Sequence, residues 1–477
     1  MEPMSRSRRV FVSSALGAFI VTANVSTMNV AFPDLEATFD DASRGALTWV
    51  LNSYTITFAA LLIPFGRLAD RFGRRELFTV GLAVFAAASM LVGAAPTLGV
   101  MIGARIAQGV GGAMITPASL GLLLASTPVA QRTATVARWG SMTALGVAAG
   151  PSIGAFIVDA ASWRWAFLPL PLFCLASYLF GRRALPDTAA VDPEARLPDL
   201  AGAIMLAAAM ALLSYGIIQI RPWGWSSSGV FAILATSLLL TVALVLRSRR
   251  HPAPALPMNL FPIRSFSAAN AATTIQSGAL SAILLVNVLW LTGGWGYSIF
   301  QAGLATLPSP IVVALLAPTM GRLGSRYGVR AIAIPGSLVW MTGVGFYAVF
   351  VGEEPNFLLH WLPGALLVAV GISMTFPLVT AAAVSDVPPA QFAVAGGVNN
   401  VGRQLGATIG VAALVAIVGD GVHLASFQHA WTAVALAGPV AAGCLLMMPA
   451  TSGRRLPEAP ARPAPTPPAV ETAQPAD

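Results

Sequence analysis

The residues best placed for chemistry in this sequence are a few charged side chains within or beside long apolar runs. Arg105 and Arg403 lie inside such runs, and Asp34 lies just past the end of the first one. A charge inside a bilayer is costly, so these residues usually pack against partners or face a wet cavity that carries ions or solutes. The chemistry to expect is the binding or relay of charge.

The sequence contains no residue pattern that is typical of covalent catalysis. No serine, cysteine or lysine arrangement with a base can be read from the sequence, and no phosphate-binding or dinucleotide-binding glycine loop is present. The four histidines have no metal-ligand spacing, and the two cysteines, Cys174 and Cys444, sit in apolar runs. We therefore expect no enzyme activity, no cofactor and no metal.

One charged segment occurs twice. Residues 66–75 read GRLADRFGRR and residues 321–330 read GRLGSRYGVR, each between two apolar runs, with Asp70 of the first copy replaced by Ser325 in the second. A short arginine-rich turn repeated in both halves is typical of a transporter built from two related bundles.

The apolar runs that hold these residues predict an all-α integral membrane protein. Hydrophobic residues form 56% of the 477-residue chain and charged residues 10%, with mean hydropathy +0.75. About 20 apolar residues cross a bilayer. The predicted spans number fourteen, at 10–33, 46–65, 77–95, 98–125, 135–158, 163–180, 198–220, 228–247, 267–291, 301–320, 331–351, 357–383, 392–418 and 430–449.

The arginines test this count, because loops on the cytoplasmic side are enriched in positive charge. Nearly all of them fall in alternate loops, which predicts that both termini are cytoplasmic. Since they are scattered between apolar runs, the net charge of +8 does not indicate nucleic-acid binding. We expect a six-helix bundle at 1–180, a linker with two additional spans at 181–264, a second six-helix bundle at 265–451 and a disordered cytoplasmic tail at 452–477.

Three motifs carry a resemblance to a known family. They are the loop after span 2, the span-4 string RIAQGVGG at 105–112, and the spaced glycines and proline of span 5. Together they resemble the major facilitator superfamily and its fourteen-span drug:proton antiporter branch. The resemblance implies a conformational latch at Gly66, Asp70, Arg71, Gly73, Arg74 and Arg75, a proton-coupling role for Arg105, and an antiporter motif at Gly146, Gly150, Pro151 and Gly154.

The chain departs from that branch in span 1. Members usually carry an acid there, and the aligned position is Asn24. No acid lies in the central part of any predicted span, so protons would use Asp34, Asp70 or Asp159, or coupling is unconventional. A buried carboxylate also attracts cationic drugs, so its absence leaves a neutral or anionic substrate open, drawn towards Arg105 and Arg403.

Polar and aromatic side chains in the spans predict a central substrate cavity, since such groups around an apolar cleft suit an amphiphilic organic molecule. For each residue taken singly, a helix–helix hydrogen bond is an equal alternative. The predicted cavity residues are Asn24, Asn29, Tyr54, Gln276, Asn287, Trp290, Asn399 and Asn400, and Asp34 and Arg403 join Arg105 as coupling residues.

These features predict a secondary transporter of the cell membrane, working as a monomer, that exports a drug, antibiotic or secondary metabolite by proton antiport. Its partners would be a small organic substrate, protons and the lipid bilayer. An importer or facilitator of an anionic or neutral metabolite fits the missing acid, and a non-transporting membrane sensor could share the fold. Uptake of substrate, or unaltered flux in an Asp70→Asn variant, would favour those alternatives.

Overall fold

The computed structural model describes residues 6–127, 153–185, 197–387, 391–419 and 421–449, and the single positions 135, 139, 142, 143, 146 and 150. The N-terminal half contains α1 Arg6–Thr38, α2 Arg44–Phe72, α3 Arg74–Gly93, α4 Leu98–Ala125, α5 (153–160), α6 Pro169–Gly181, α7 Leu200–Trp223 and α8 Ser228–Arg250. The second half contains α9 Arg264–Leu289, α10 Ile299–Thr306, α11 Pro308–Tyr327, α12 Val329–Phe350, α13 Leu362–Ser385, α14 Phe392–Val418 and α15 Leu424–Leu446.

Thirteen helical segments of the described chain are long and apolar enough to cross a membrane. They coincide with thirteen of the fourteen predicted spans. The remaining one, 135–158, lies largely outside the described residues, although 153–160 and the single positions before it are helical. The tail at 452–477 also lies outside the described residues.

The tenth span differs in detail from its prediction. It consists of α10 and α11, which meet at Leu307, and Pro308 is the first residue of α11. Proline has no N–H to donate and is well tolerated at the first position of a helix, so it favours a new helix start here. The span begins at Ile299, slightly before the predicted 301–320, and ends later than predicted, at Tyr327.

The repeated turn has the same conformation in both halves. Gly73 joins α2 to α3 with φ of 107°, and Gly328 joins α11 to α12 with φ of 94°. Such positive φ values favour glycine. The arginine two residues after each glycine then reaches a carbonyl oxygen at the end of a distant helix: Arg75 binds Arg182 O at 2.9 Å, and Arg330 binds Met448 O at 3.0 Å.

Contacts between loops show which helix ends lie on the same side of the molecule. We name the two sides after Asp70, near the end of α2, and Arg44, at its start. On the Asp70 side, Arg6 near the start of α1 binds Ala184 O after α6. On the Arg44 side, Trp163 Nε1 donates to Thr38 Oγ1 at 3.0 Å. The Arg44 guanidinium donates to Gly419 O between α14 and α15, so α15 runs back from the Arg44 side. Both ends of the described chain therefore lie on the Asp70 side.

The two bundles meet along α2 and α14, which pack against each other. Near the Asp70 side, Ile63 approaches Gly397, and at the Arg44 side the Arg44 guanidinium donates to Gly419 O. A second contact between the bundles on the Arg44 side brings the rings of Phe156 and Phe300 to 6.3 Å between centroids.

The two additional helices form an antiparallel pair beside this seam. α7 packs on α8, on α2 and on α14, so it touches both bundles. Asn52 Nδ2 of α2 donates to Ser214 Oγ of α7 at 2.8 Å. Asp199 caps α7 by accepting from Gly202 N and binds Arg247 Nε of α8, both at 2.8 Å.

Candidate transport site

Arg105 is the centre of a polar cluster inside the N-terminal bundle. Its side chain is 1% exposed. Nε donates to Val50 O at 2.8 Å, and Nη1 donates to Gln108 Oε1 at 2.8 Å and to Asn24 Oδ1 at 3.2 Å. Its guanidinium carbon lies 4.5 Å from the centre of the Tyr54 ring, a distance suited to a cation–π interaction.

Close helix packing positions the cluster. Gly109 of α4 lies against the backbone of α2, where an added Cβ would meet Tyr54 O at 2.8 Å. This approach brings the Tyr54 ring beneath Arg105, and Tyr54 OH donates to Val21 O of α1 at 3.3 Å. Gln108 extends the cluster to α3, because its Nε2 donates to Ser89 Oγ at 2.8 Å. Four helices therefore hold the guanidinium in place.

The cluster leaves the positive charge of Arg105 uncompensated. Its partners are a carbonyl oxygen, two amide oxygens and an aromatic ring, and among the described residues it binds no carboxylate. Asn24 takes the place that the family resemblance gives to an acid and supplies a neutral acceptor instead. The N-terminal bundle thus carries a net positive charge within the span region.

Arg403 has the opposite environment. Its side chain is exposed. Val411, Leu414 and Val418, further along the same face of α14, belong to the apolar core that includes residues of the N-terminal bundle. This face therefore borders the space between the bundles, which we call the cleft. Among the described residues, Arg403 makes no hydrogen bond or ion pair.

The face of α14 that carries Arg403 traces the cleft along the helix. We call this face the α14 stripe: Gly396, Asn400, Arg403, Ala407, Val411, Leu414 and Val418, spaced by three or four residues. The first four, nearest the Asp70 side, are exposed or half-buried. The last three are at most 5% exposed and belong to the main apolar core, which includes Met28 and Phe32 of the N-terminal bundle. The cleft is therefore open towards the Asp70 side and closed towards the Arg44 side.

The loop after α2 connects elements of the N-terminal half. Asp70 Oδ1 accepts from Arg74 Nε at 2.9 Å and Nη2 at 2.7 Å, and Arg74 Nη1 donates to Gly121 O of α4 at 3.2 Å. The Arg71 guanidinium lies over the ring of the exposed Phe72. Gly66 lies beside Pro117 of α4. The predicted latch residues thus meet around the α2–α3 turn.

The span-5 glycines lie against α1. A Cβ on Gly150 would stand 2.8 Å from both Ala23 O and Ser26 Cβ, and one on Gly154 would stand 2.9 Å from Thr27 Cγ2. Gly146 approaches Thr22 in the same way, and Thr27 Oγ1 donates to Gly150 O at 3.2 Å. Pro151 lies outside the described residues. These glycines permit a close contact between span 5 and α1.

Four predicted cavity residues of the C-terminal bundle bind or pack against helices of that bundle. Asn399 Nδ2 donates to Asn270 Oδ1 and Thr273 Oγ1, and Gln276 Nε2 donates to Ser337 Oγ. Asn287 Oδ1 accepts from Trp431 Nε1. Trp290 packs on Phe427 and Trp431 and lines an open cavity of about 450 Å³ at the Arg44 side with Glu353 and His423.

The remaining predicted residues are divided between helix ends and the bundle interior. Asn24 and Tyr54 lie in the Arg105 cluster, Asn29 is buried in α1, and Asn400 lies on the α14 stripe. Asp34 lies near the Arg44 end of α1, where the Trp163 backbone binds it. The sequence prediction missed Gln108 and Ser89, although Gln108 follows Arg105 by three residues on the same helix face, a spacing that could have indicated it.

A comparison with known proteins agrees with this architecture. The family model described as Major Facilitator Superfamily matches residues 14–283, more than half of the chain. The chain belongs to the major facilitator superfamily. Its fold is that of this superfamily, with no strand among the described residues.

Relatives within the superfamily share most of the chain. The methylenomycin A resistance protein of Bacillus subtilis (strain 168) is 30% identical over 88% of this chain and 89% of its own. The cephamycin export protein CmcT of Amycolatopsis lactamdurans is 30% identical over 87% and 86%. The multidrug resistance protein Stp of Mycobacterium tuberculosis (strain CDC 1551 / Oshkosh) is 29% identical over 85% and 75%.

Proposed function

We propose that this member of the major facilitator superfamily exports a small organic compound across the cell membrane by secondary active transport. The observation that carries the proposal is the cleft traced by the α14 stripe. The stripe is exposed or half-buried towards the Asp70 side and buried towards the Arg44 side, the asymmetry expected for one state of an alternating-access transporter. The names of the relatives, which include resistance and export proteins, supply the direction and the class of cargo.

The proposed orientation places the Asp70 side in the cytoplasm. The arginine-rich turns at 66–75 and 321–330 are on this side, in accord with the enrichment of positive charge in cytoplasmic loops. The open end of the cleft then faces the cytoplasm, from which an exporter must load. Movement of one bundle against the other would close this end and open the Arg44 side.

The energy source we propose is the proton gradient, through antiport. Arg105 supports coupling, because a rigidly held buried cation influences the protonation of any acid that approaches it. Asp34 and Asp159 at one end of the N-terminal bundle and Asp70 at the other are the carboxylates that we propose for proton exchange. The protein works as a monomer and needs no cofactor in this account.

Drug susceptibility in a bacterial host that lacks its own efflux pumps tests the proposal. Cells that produce the full chain should tolerate at least fourfold more of some antibiotic in a broad panel than cells that produce an Arg105→Met variant at equal membrane abundance. Collapse of the proton gradient with an uncoupler should restore intracellular accumulation of that compound. Resistance that survives the uncoupler would contradict antiport, and enhanced uptake would favour an importer.

A further inference from the structure

We infer that Arg403, assisted by Asn400, binds an anionic group of the transported molecule, so the cargo includes organic acids. This inference deepens the proposed function and rests on it. A planar guanidinium binds a carboxylate, sulfonate or phosphate through two parallel hydrogen bonds. The inference covers any of these three anionic groups, because all of them accept the same pair of hydrogen bonds.

The first argument is that the Arg403 guanidinium is accessible and has no described partner. Arginines within spans usually bind acids or carbonyls, as Arg105 does with Val50 O. Arg403 instead projects into the cleft from the middle of α14, with no hydrogen bond or ion pair to a described residue. The five N–H donors of the planar Arg403 guanidinium are therefore free to bind a ligand that enters from the cytoplasmic side.

The second argument is the shape of the α14 stripe around the guanidinium. Asn400 is half-buried three residues earlier on the same face, so its amide shares this face with the guanidinium and can supply a second donor. Gly396, one turn further, has open space where a side chain would begin, with no atom within 4 Å of an added Cβ. The stripe thus offers two donors and room for the body of a ligand.

The third argument is the charge balance of the spans. Arg105 contributes a second positive charge that no described carboxylate compensates, and no acid lies in the central part of a predicted span. Two uncompensated cations in a medium of low dielectric repel a cationic ligand and attract an anion. The same arrangement disfavours the cationic drugs that a buried acid would select.

Binding of an anion also has an energetic consequence for export. In a cell whose interior is electrically negative, an anion that moves outward runs down the membrane potential. Each 100 mV then supports about a 50-fold concentration ratio for one charge. Export of an organic acid should therefore respond to the potential even when the pH difference is zero.

Matched ligand pairs and the purified full chain test the inference. The probes are aromatic carboxylates and sulfonates of one to three rings, each paired with its neutral amide or sulfonamide. Binding is measured by the rise in apparent unfolding temperature and by titration of tryptophan fluorescence. The variants are Arg403→Gln, Arg403→Lys and the charge-matched control Arg249→Gln, which removes an exposed arginine at the end of α8.

We expect at least one acid to bind the wild type at least tenfold more tightly than its amide. Arg403→Gln should lose this preference, Arg403→Lys should keep part of it, and Arg249→Gln should bind as the wild type does. Equal binding of acid and amide, no binding of any acid, or undiminished acid binding by Arg403→Gln would overturn the inference.

Two further measurements keep the test decisive. If Arg403→Gln does not fold, Asn400→Asp replaces it, because a carboxylate three residues from Arg403 should compete with the acid and weaken its binding at least fivefold. In proteoliposomes, a potassium diffusion potential at equal pH should drive transport of the bound acid in the wild type only. Unchanged acid binding in Asn400→Asp, or transport indifferent to the potential, would contradict the inference.

The inference and the proposed function can fail separately. If cells export neutral or cationic compounds, and the wild type and Arg403→Gln export acids equally well, the export function stands and the anion site is wrong. If the purified protein binds acids through Arg403 but cells show no export of any compound, the anion site stands and the proposed function is wrong.

Discussion

At the scale of single residues, hydrogen bonds to α1, α2 and Gln108 and the face of the Tyr54 ring hold the Arg105 guanidinium in place. Its position in span 4 predicts a buried or cavity-facing cation, and the structure gives it three hydrogen-bond acceptors and an aromatic face. The bonds to Asn24 and Val50 join helices that are distant in sequence. Such partners depend on helix packing, and no local pattern could identify them.

The Tyr54 ring should matter to the Arg105 cluster more than its hydroxyl does. Tyr54→Phe keeps the ring and loses only the 3.3 Å bond to Val21 O, so it should change the apparent unfolding temperature little. Tyr54→Leu removes the cation–π interaction and should destabilise the protein by about 2 kcal/mol. Thermal unfolding in detergent measures both, and equal effects of the two variants would argue against the cation–π role.

The Asp70–Arg74 pair should affect transport more than stability. Both side chains are partly exposed, so the pair contributes only about 0.5–1 kcal/mol to folding. Asp70→Asn should nevertheless remove most of the flux in vesicles, because the turn must hold α4 through Arg74. Ser325→Asp is the matched control: Val329 stands where the first copy has Arg74, so the added acid meets no equivalent arginine and flux should be unchanged.

At the scale of helices, the sequence predicted most of the fold because lipid imposes a simple rule on span length. Thirteen described spans coincide with apolar runs that hydropathy finds. The break at Leu307 was not predicted, because two prolines within an apolar run permit either a kink or a new helix start. The sequence also could not predict that α7 packs against both α2 and α14, since these contacts join segments that are distant in the chain.

The contact between span 5 and α1 should not tolerate larger side chains. Gly150→Val places methyl groups where Ala23 O and Ser26 already stand, so we expect a loss of several degrees in apparent unfolding temperature and of most transport. Gly103→Val on α4 is the control, because no atom lies within 4 Å of its added Cβ. Similar losses in both variants would contradict a specific role for the span-5 glycines.

Asp199, at the start of α7, should make a pH-dependent contribution to the folding stability of the protein. Burial alone raises the pKa of this carboxyl, but the Gly202 N–H, Arg247 and His251 together hold it below its usual value. A lowered pKa contributes stability that is present above the unfolded-state pKa of about 3.9 and is lost as pH falls through the folded-state value. Asp199→Asn should therefore lower the apparent unfolding temperature at pH 7, and this deficit should shrink as the pH falls below about 3.9.

Arg249→Gln supplies the comparison for Asp199→Asn, because it changes an exposed charge two residues beyond Arg247, at the same end of the α7–α8 pair. It should leave the unfolding temperature unchanged at pH 7 and at pH 3. A deficit in Asp199→Asn that is the same at pH 3 as at pH 7 would mean that the carboxylate charge does not stabilise α7 and α8.

At the scale of the whole molecule, the repeated turn predicted the pseudo-symmetry that the structure displays. Gly73 and Gly328 adopt the same backbone conformation, and Arg75 and Arg330 make equivalent contacts in the two bundles. The sequence could not predict which face of α14 borders the cleft, because both helix faces carry polar residues. Of the neighbours Asn399 and Asn400, the first binds α9 and the second lies on the α14 stripe.

Alternating access is the central claim, and a reversible cross-link tests it most directly. After replacement of Cys174 and Cys444, cysteines at Phe156 and Phe300 join the bundles on the Arg44 side, where the native rings lie 6.3 Å apart. A bifunctional thiol reagent should abolish transport in proteoliposomes, and reduction should restore it. A pair at Phe19 and Phe173, within one bundle, should have no effect. Full transport with the Arg44 side cross-linked would contradict the account.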